Sequence, residues 1–478
     1  MIKHRFGVFC GRHPALFVGV FFFLGAWISP FSLIFTPFFF LLLPNNRALF
    51  ALFIIVSSCV MTNMRVRLPE KGVYVGKMHA EVIDRFHVLY HQKPFWKMTF
   101  YVHGFWNEQG DLLLKGVPIT IVQESPLYGG KIYAFQVRVQ VDEFLGCAPP
   151  KNITSLGATW SLVEWRMKMR KWIEKRISSL FDDHDMCELA GACSFGVFKN
   201  PSLVSTMRHL GLSHLLAISG FHFGIVSAIA VLLMRWCRFQ SAVAMVLLTL
   251  YFFVIGPFYS VMRAWIAGMI VLLGSLIYRK TTGLNCLGVA LTGILLCDPA
   301  AACAMGFQLS FLATAVILLY SPLLQELLRT IFPKRSVDKF AEFSFADQCC
   351  VGVLHRIVPL LSILTPVWSV MAVYQLIFLP EVPLMGFIYN LFVPTLFVVA
   401  IPLIVLSVTV PFLGPVFAYM AKFPLSAILA IASTATSRGI ISGGQISPII
   451  GYAVISGILL SAVLLDEKHA TEEWMACL

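Results

Sequence analysis

The chain has 478 residues, of which 58% are hydrophobic and 13% are charged, and its formal net charge is +12. This composition excludes an ordinary water-soluble fold, because a soluble protein cannot hide so much apolar surface. Long apolar runs separated by short charged or Pro/Gly breaks are typical of bilayer-spanning helices. The sequence therefore predicts a mainly α-helical polytopic membrane protein with about 10–12 spans.

The first segment, residues 1–64, is predicted to form N-terminal transmembrane helices. Basic residues precede its first apolar stretch, as in a secretory signal, but further apolar runs follow and no small-residue cleavage site is visible. We expect the N-terminus in the cytoplasm. Hairpin turns at Gly256-Pro257 and Asp298-Pro299 then lie outside, and the basic loops between them lie inside, as the positive-inside rule requires.

Residues 65–145 are predicted to form a small all-β, OB-like domain on the outer face of the membrane. Short alternating segments replace the long apolar runs here, and turn signals such as 107–110 and 128–130 separate them. Several short strands fit a small barrel of the OB type, and an irregular β-meander is the alternative.

This domain is rich in basic and aromatic side chains. Together they suit a single-stranded nucleic acid, because cations follow the phosphates and aromatic faces stack on the bases. The alternative is ordinary packing near a membrane surface, where the same residues are enriched. The candidate DNA-binding residues of the domain are Lys77, Arg85, Lys93, Trp96, Lys97, Tyr101 and Trp106.

Residues 146–200 are predicted to form a basic amphipathic interfacial helix and a linker. Leu162, Trp165 and Trp172 belong to a predicted apolar face, and basic residues take the opposite side. Such a helix lies in a membrane interface by default, and its charges also attract polyanions. Its candidate DNA-binding residues are Arg166, Arg170 and Lys171.

Residues 201–465 are predicted to form the main membrane domain. Polar groups embedded in its apolar runs are costly in lipid and usually face a cavity or a partner. The Ser219-Gly220 pair predicts a broken or tightly packed helix, which membranes tolerate where the backbone lines a protected cavity. The candidate core residues are His214, Ser219, Gly220, His222, Arg263, Asp298, Gln308, Ser310 and Asn390.

His214, Ser219 and His222 raise the alternative of an intramembrane hydrolase or a metal site. No orienting acid is near them in the sequence, and the two histidines are eight positions apart, whereas metal histidines usually lie within one helical turn. We therefore expect no catalytic residue, no metal and no cofactor at this cluster.

At this point the sequence resembles a known family. The stretch 211–220, followed by His222, is similar to the hallmark of the ComEC competence protein family. Later stretches agree in order: Arg263-Ala264, Asp298-Pro299, 306–312 and 390–394. The resemblance implies an inner-membrane channel that passes one strand of incoming DNA, with an external OB domain that engages DNA. It also implies other DNA-uptake proteins as partners, and a homo-oligomer is possible.

Long members of that family carry a metallo-β-lactamase-like domain with an HxHxDH motif, which this sequence lacks. No Walker motif is present either. We therefore expect no enzyme activity from this chain, a separate motor and nuclease, and only a short polar tail at 466–478. The alternative function is transport of another anionic substrate, such as a lipid-linked sugar phosphate.

Overall fold

The computed structural model describes most of the chain. The described residues are 8–27, 45–67, 69–90, 93–141, 145–147, 150–156, 161–196, 201–233, 239–332, 345–379, 381–433, 440–442 and positions 454, 455, 457, 458 and 461. Residues 28–44 of the predicted N-terminal transmembrane segment and the predicted polar tail at 466–478 lie outside them.

Helices dominate these residues. Two of them, α1 (Pro14–Ala26) and α2 (Asn45–Arg65), precede the β domain. The others are α3 (Leu162–Ser178), α4 (His184–Phe195), α5 (Pro201–His209), α6 (Ser213–Leu216), α7 (Gly220–Leu233), α8 (Gln240–Ile255), α9 (Tyr259–Leu276), α10 (Gly283–Cys297), α11 (Met305–Ile331), α12 (Phe345–Phe378), α13 (Gly386–Thr409) and α14 (Gly414–Ser433).

The prediction of a polytopic helical membrane protein is confirmed. Within the described residues, six helices are long and apolar enough to cross a membrane, namely α2, α9, α11, α12, α13 and α14. Four shorter apolar helices, α1, α7, α8 and α10, pack among them. The N-terminal helices belong to this bundle: Ser58 of α2 donates to the Phe22 carbonyl of α1, and the Ala15 amide donates to Asn285 of α10.

The β domain is a seven-stranded antiparallel sheet, which confirms the predicted small all-β unit. Its path is β3-β2-β1-β5-β6, while β4 pairs with β2 and β7 pairs with β5. The strands are β1 (Gly72–Tyr90), β2 (Lys93–Asn107), β3 (Leu112–Leu114), β4 (Pro118–Gln123), β5 (Ile132–Val141), β6 (Leu145–Cys147) and β7 (Lys151–Ser155). A further short pair, β8 (Glu381–Pro383) and β9 (Ile440–Ser442), lies in the membrane domain.

Alternation along the strands builds the core of this domain. Inward side chains such as Met78, Phe100 and Phe135 are fully or almost fully buried. Register shifts after His79 and Val82 bend the long strand β1, as bulges do. This strand pairs with β2 along one edge and with β5 along the other. The OB type of the domain stays a prediction.

Helix α3 joins the β domain to the membrane bundle. Arg166 donates to the Phe253 carbonyl over 3.2 Å, and Arg170 donates to the Ile255 carbonyl, both in the last turn of α8. Arg170 also forms an ion pair of 2.9 Å with Asp84 of β1. The last carbonyls of a helix have no partner within it and carry a partial negative charge, so guanidinium groups satisfy them well.

Two further arginines make the same kind of contact. Arg176 donates to the Pro411 carbonyl just after α13, and Arg65 donates to the Leu296 carbonyl at the end of α10. We call Arg65, Arg166, Arg170 and Arg176 the arginine collar. The collar holds the β domain at the bundle end that carries the 256–257 and 298–299 turns, so these features share one side as the sequence predicts.

The predicted orientation of α3 is wrong in part. Arg166 and Arg170 are only 8% and 6% exposed, whereas Trp165 and Trp172 are 41% and 51% exposed. The two arginines turn inward because Asp84 and the carbonyl ends of α8 require them. They therefore do not belong to an exposed DNA-binding face.

Arg85 has a similar structural role. Its guanidinium forms an ion pair of 3.0 Å with Glu164 of α3, and the side chain is 11% exposed. Glu164 in turn accepts from the Gly129 amide. Arg85, which the sequence analysis predicts to bind DNA, therefore forms an ion pair that connects the β domain to α3.

The buried pair Asp84–Arg170 gives a stability prediction. We expect Arg170→Met to lower the stability of the detergent-solubilised protein by about 3 kcal/mol, because Asp84 is left buried without its partner. Thermal unfolding followed by size-exclusion elution measures this loss. Lys168→Met, on the exposed face of the same helix, is the matched control and should change little. Equal effects of the two substitutions would contradict the role of the pair.

Candidate functional site

The main membrane domain contains a broken helix, as predicted. Helix α6 ends at Leu216, residue Ala217 is extended, and α7 begins at Gly220. His222 fixes the break: its Nδ1 accepts from the Ser219 amide over 3.1 Å and contacts the Ser219 hydroxyl at 3.2 Å. The His222 side chain is fully buried. Its place is therefore that of an internal brace, not of a surface that a substrate touches.

The same geometry does not favour a nucleophilic serine. His222 Nδ1 already accepts from the Ser219 backbone, and among the described residues no carboxylate pairs with Nε2, which is buried without a hydrogen-bond partner there. A serine nucleophile needs a base that a third group orients and that substrate can approach. In the part of the chain that the structure describes, no cluster of three His, Cys, Asp or Glu side chains is placed to hold a metal.

Arg263 of α9 reaches the break from the side. A Cβ on Gly220 would lie 2.8 Å from the Arg263 Nη2 atom, so a larger residue there would make the guanidinium move. The guanidinium lies over the Phe311 ring at 6.0 Å, and Ser260 donates to the Ile218 carbonyl over 2.9 Å. Three segments that are distant in the sequence thus meet at the start of α7.

Asp298 has a structural role at the end of α10. Its carboxylate accepts from the Ala300 amide over 3.1 Å and from the Tyr259 hydroxyl over 2.8 Å. The first contact caps the short 3-10 helix Pro299–Cys303, as expected of a helix-ending turn. The second ties this turn to the start of α9, which carries Arg263.

Gln308 and Ser310 lie on α11. The Gln308 side chain donates to the Ala302 carbonyl over 2.8 Å and accepts from the Tyr374 hydroxyl over 2.6 Å. It therefore connects α11 with α12, the interhelical role that a buried amide often takes in membranes. Ser310 follows half-buried on the same helix.

Asn390 secures the crossing of α13 with the turn before α6. Its amide donates to the carbonyls of Gly386 over 2.7 Å and Gly211 over 3.3 Å. Gly211 has φ +72°, and a Cβ there would lie 2.9 Å from the Gly386 Cα. Both the left-handed backbone and the close approach require glycine.

The broken segment borders an internal recess. Ser213, His214 and Ala217 are exposed, yet protein atoms surround the His214 side chain closely. Arg263 combines partial accessibility with the same dense surroundings. We call the accessible surface that Ser213, His214 and Ala217 form beside the break the recess. Within the predicted core set, His214 is exposed, His222 is buried and the other members, Arg263 among them, are half-buried.

On the β domain, the outer face of the sheet carries several predicted DNA-binding residues. Lys77 and Lys97 are exposed, and Tyr101 and Trp106 are partly exposed. The side chain of Lys93 lies outside the described atoms. Trp96 packs against two cations instead: Arg85 lies 5.8 Å and the exposed Lys171 5.6 Å from its ring centroid.

Sequence reasoning missed three side chains of this face. His79 lies 5.0 Å from the Trp106 ring, His103 lies 5.5 Å from the Tyr101 ring, and Arg138 is exposed on β5. The period of two along a strand was a sufficient signal, because His79 follows Lys77 and His103 follows Tyr101 by two positions.

This outer face extends towards the membrane domain at Tyr101. Burial and the nearby Asp298 carboxylate raise the pKa of the Tyr101 hydroxyl, while Arg65 opposes the shift. Tyr101 therefore lies within electrostatic range of the turn after α10. Through Tyr101, this face of the sheet comes near Tyr259 at the start of α9.

The fold and the site define a polytopic membrane protein in which a β domain sits over a bundle with a broken helix. The family model described as "Competence protein" matches residues 200–468, which is more than half of the chain. The chain belongs to this competence protein family. The match includes the break, Arg263, Asp298, Gln308 and Asn390.

One curated relative is ComE operon protein 3 of Bacillus subtilis (strain 168). It is 29% identical over 166 residues, which is 34% of this chain and 21% of the relative. The alignment thus spans about a fifth of the relative's length. No solved structure matches the chain.

Two glycines of the family region provide a matched test of the packing. We expect Gly211→Ala to destabilise the solubilised protein by about 1–3 kcal/mol, because it strains the positive φ and pushes the backbone at Gly386 away. Gly306→Ala meets open space and should be nearly neutral. Thermal unfolding of both variants measures the difference in stability. A Gly211→Ala variant as stable as the parent would refute the close approach of Gly211 to Gly386.

Proposed function

We propose that this protein passes single-stranded DNA across the bacterial cytoplasmic membrane during natural transformation. Membership of the competence protein family supports the proposal. The observation that carries it is the position of the basic and aromatic sheet face beside the bundle end where α9 begins. A polyanion collected on that face would be close to the recess at the break.

Each step of this path has suitable chemistry. Lys77, Lys97 and Arg138 are exposed cations that attract phosphates, and Tyr101 and Trp106 offer ring faces to unstacked bases. Within the bundle, the recess offers accessible polar groups at a break in the helix. Broken helices with polar groups at membrane depth are a common way to build a path for a charged substrate.

In this proposal the chain is a passive channel and not an enzyme. Its sequence has neither a Walker motif nor an HxHxDH motif. A separate motor would drive the strand and a separate nuclease would remove its complement, both as partners from the DNA-uptake machinery. The N-terminus would lie in the cytoplasm and the β domain outside it.

Deletion tests the proposal directly. A strain that lacks this protein should still bind labelled DNA at the cell surface but should fail to bring it into the cytoplasm, and the intact coding sequence should restore entry. Normal cytoplasmic entry in the deletion strain would refute the proposal. Loss of envelope synthesis with normal entry would instead support transport of a lipid-linked sugar phosphate, which the cationic recess would also suit.

The sheet face gives a quantitative prediction. We expect Lys77→Ala with Arg138→Ala to weaken binding of a single-stranded oligonucleotide to the full-length protein by about tenfold and to flatten its salt dependence, because each lost phosphate contact reduces counterion release. Fluorescence anisotropy across a salt series measures both effects. Lys422→Ala is the matched control, since Lys422 pairs with Asp182 away from the sheet.

A second prediction separates the channel from a hydrolase. We expect Ser219→Ala to keep DNA entry within about twofold of the parent, because the Ser219 amide still donates to His222 and holds the break. His222→Ala should reduce the amount of folded protein, since it empties a fully buried position. Complete loss of function in a folded Ser219→Ala protein would favour the catalytic alternative.

A further inference from the structure

Arg263 carries a charge that the described residues do not neutralise. Its side chain is half-buried, none of the described carboxylates forms an ion pair with it, and its Nε atom is buried without a hydrogen-bond partner in the described region. Its guanidinium carbon lies 6.0 Å from the centroid of the Phe311 ring, in a cation–π contact. A charge within a membrane protein that no carboxylate neutralises is costly, and a bound anion would lower that cost.

The position of the guanidinium makes the cost greater. Its Nη2 atom approaches Gly220, the first residue of the 14-residue helix α7. The N-terminus of a helix carries a partial positive charge, so it repels a neighbouring cation. An anion placed between the two would convert this repulsion into attraction on both sides, as at many helix N-termini that bind phosphate.

The available donors point in different directions. The Phe221 amide is already bonded to the Ser219 hydroxyl oxygen, but among the described contacts none occupies the Gly220 amide. The Ser219 hydroxyl is occupied by its contacts with the Phe221 amide and His222 Nδ1. The guanidinium fork and the Gly220 amide together suit the several oxygens of a tetrahedral phosphate better than a planar carboxylate, which a guanidinium alone satisfies.

We propose that Arg263 and the first turn of α7 bind one phosphodiester group in the recess beside Ser219. Two sources can supply this group: the backbone of a single nucleic-acid strand, or the headgroup of an anionic phospholipid. The first source deepens the proposed function and rests on it. The exposed residues Ser213 and Ala217 form the open side of the recess through which either group would reach the site.

Site-specific photocrosslinking on the full-length protein in nanodiscs tests the inference. A benzophenone amino acid at Ala217, which is exposed in the recess, reports contact with either probe. One arm uses a labelled single-stranded oligonucleotide in zwitterionic lipid, and the other uses labelled phosphatidylglycerol. We expect Arg263→Gln to reduce crosslinking in at least one arm by about tenfold, and Arg263→Lys to retain part of it because the charge remains.

Two controls make the result specific. Gly220→Ala leaves the charge in place but displaces the guanidinium, so it should give an intermediate loss of crosslinking. If Arg263→Gln does not elute as a folded protein, Gly220→Ala and Arg263→Lys test the phosphodiester site in its place. Lys422→Gln, at a cation that pairs with Asp182, should leave both arms unchanged.

The possible failures are distinguishable. Crosslinking in both arms that is indifferent to Arg263 and Gly220 would overturn the phosphodiester site, even if the oligonucleotide binds and DNA entry needs the protein. Failure of the DNA-entry proposal would appear in the deletion strain. In that case an Arg263-dependent signal with phosphatidylglycerol would still support the site.

Discussion

The contact on which the arrangement of the two domains depends is that of Arg170 with Asp84 and the Ile255 carbonyl. The last carbonyls of α8 need donors, and a buried carboxylate on β1 needs a cation. One guanidinium meets both needs, because its fork donates in several directions. Arg166 repeats the contact one turn earlier on α3, where burial lowers its pKa and the Asp84 carboxylate opposes that shift. The β domain is therefore fixed to the bundle through buried charge.

This joint has a consequence for the site. Ile255 is the last residue of α8, and α9 begins four positions later with Tyr259 and carries Arg263. The same short segment thus accepts a hydrogen bond from Arg170 at Ile255 and carries Arg263, whose guanidinium lies beside the break. Tyr259 adds a second tie to Asp298, which lies within electrostatic range of Tyr101. The sheet is thus joined to the segment before α9 through Arg170, and Tyr101 lies near the Tyr259–Asp298 hydrogen bond.

Much of the fold was predictable because its signals are local. The apolar runs, the alternating strands and the Ser219-Gly220 break each follow from a few neighbouring residues. The orientation of α3 was not predictable in the same way. Its spacing shows two faces, but whether the charged face meets water or protein depends on Asp84 and on carbonyls more than 80 positions away. Basic residues in a membrane protein are easily assigned to the binding of an external polyanion. In α3, two of them donate instead to carbonyl groups at a helix end.

The same distinction applies to the polar residues within the bundle. A polar side chain at membrane depth is costly, but hydrogen bonds inside the protein can offset that cost. His222, Gln308 and Asn390 have such bonds, so their presence in the family motif is explained by holding helices together. Arg263 is half-buried beside a helix N-terminus without an ion pair among the described residues. Internal hydrogen bonds account for the first group, whereas the proposed phosphodiester group would account for the position of Arg263.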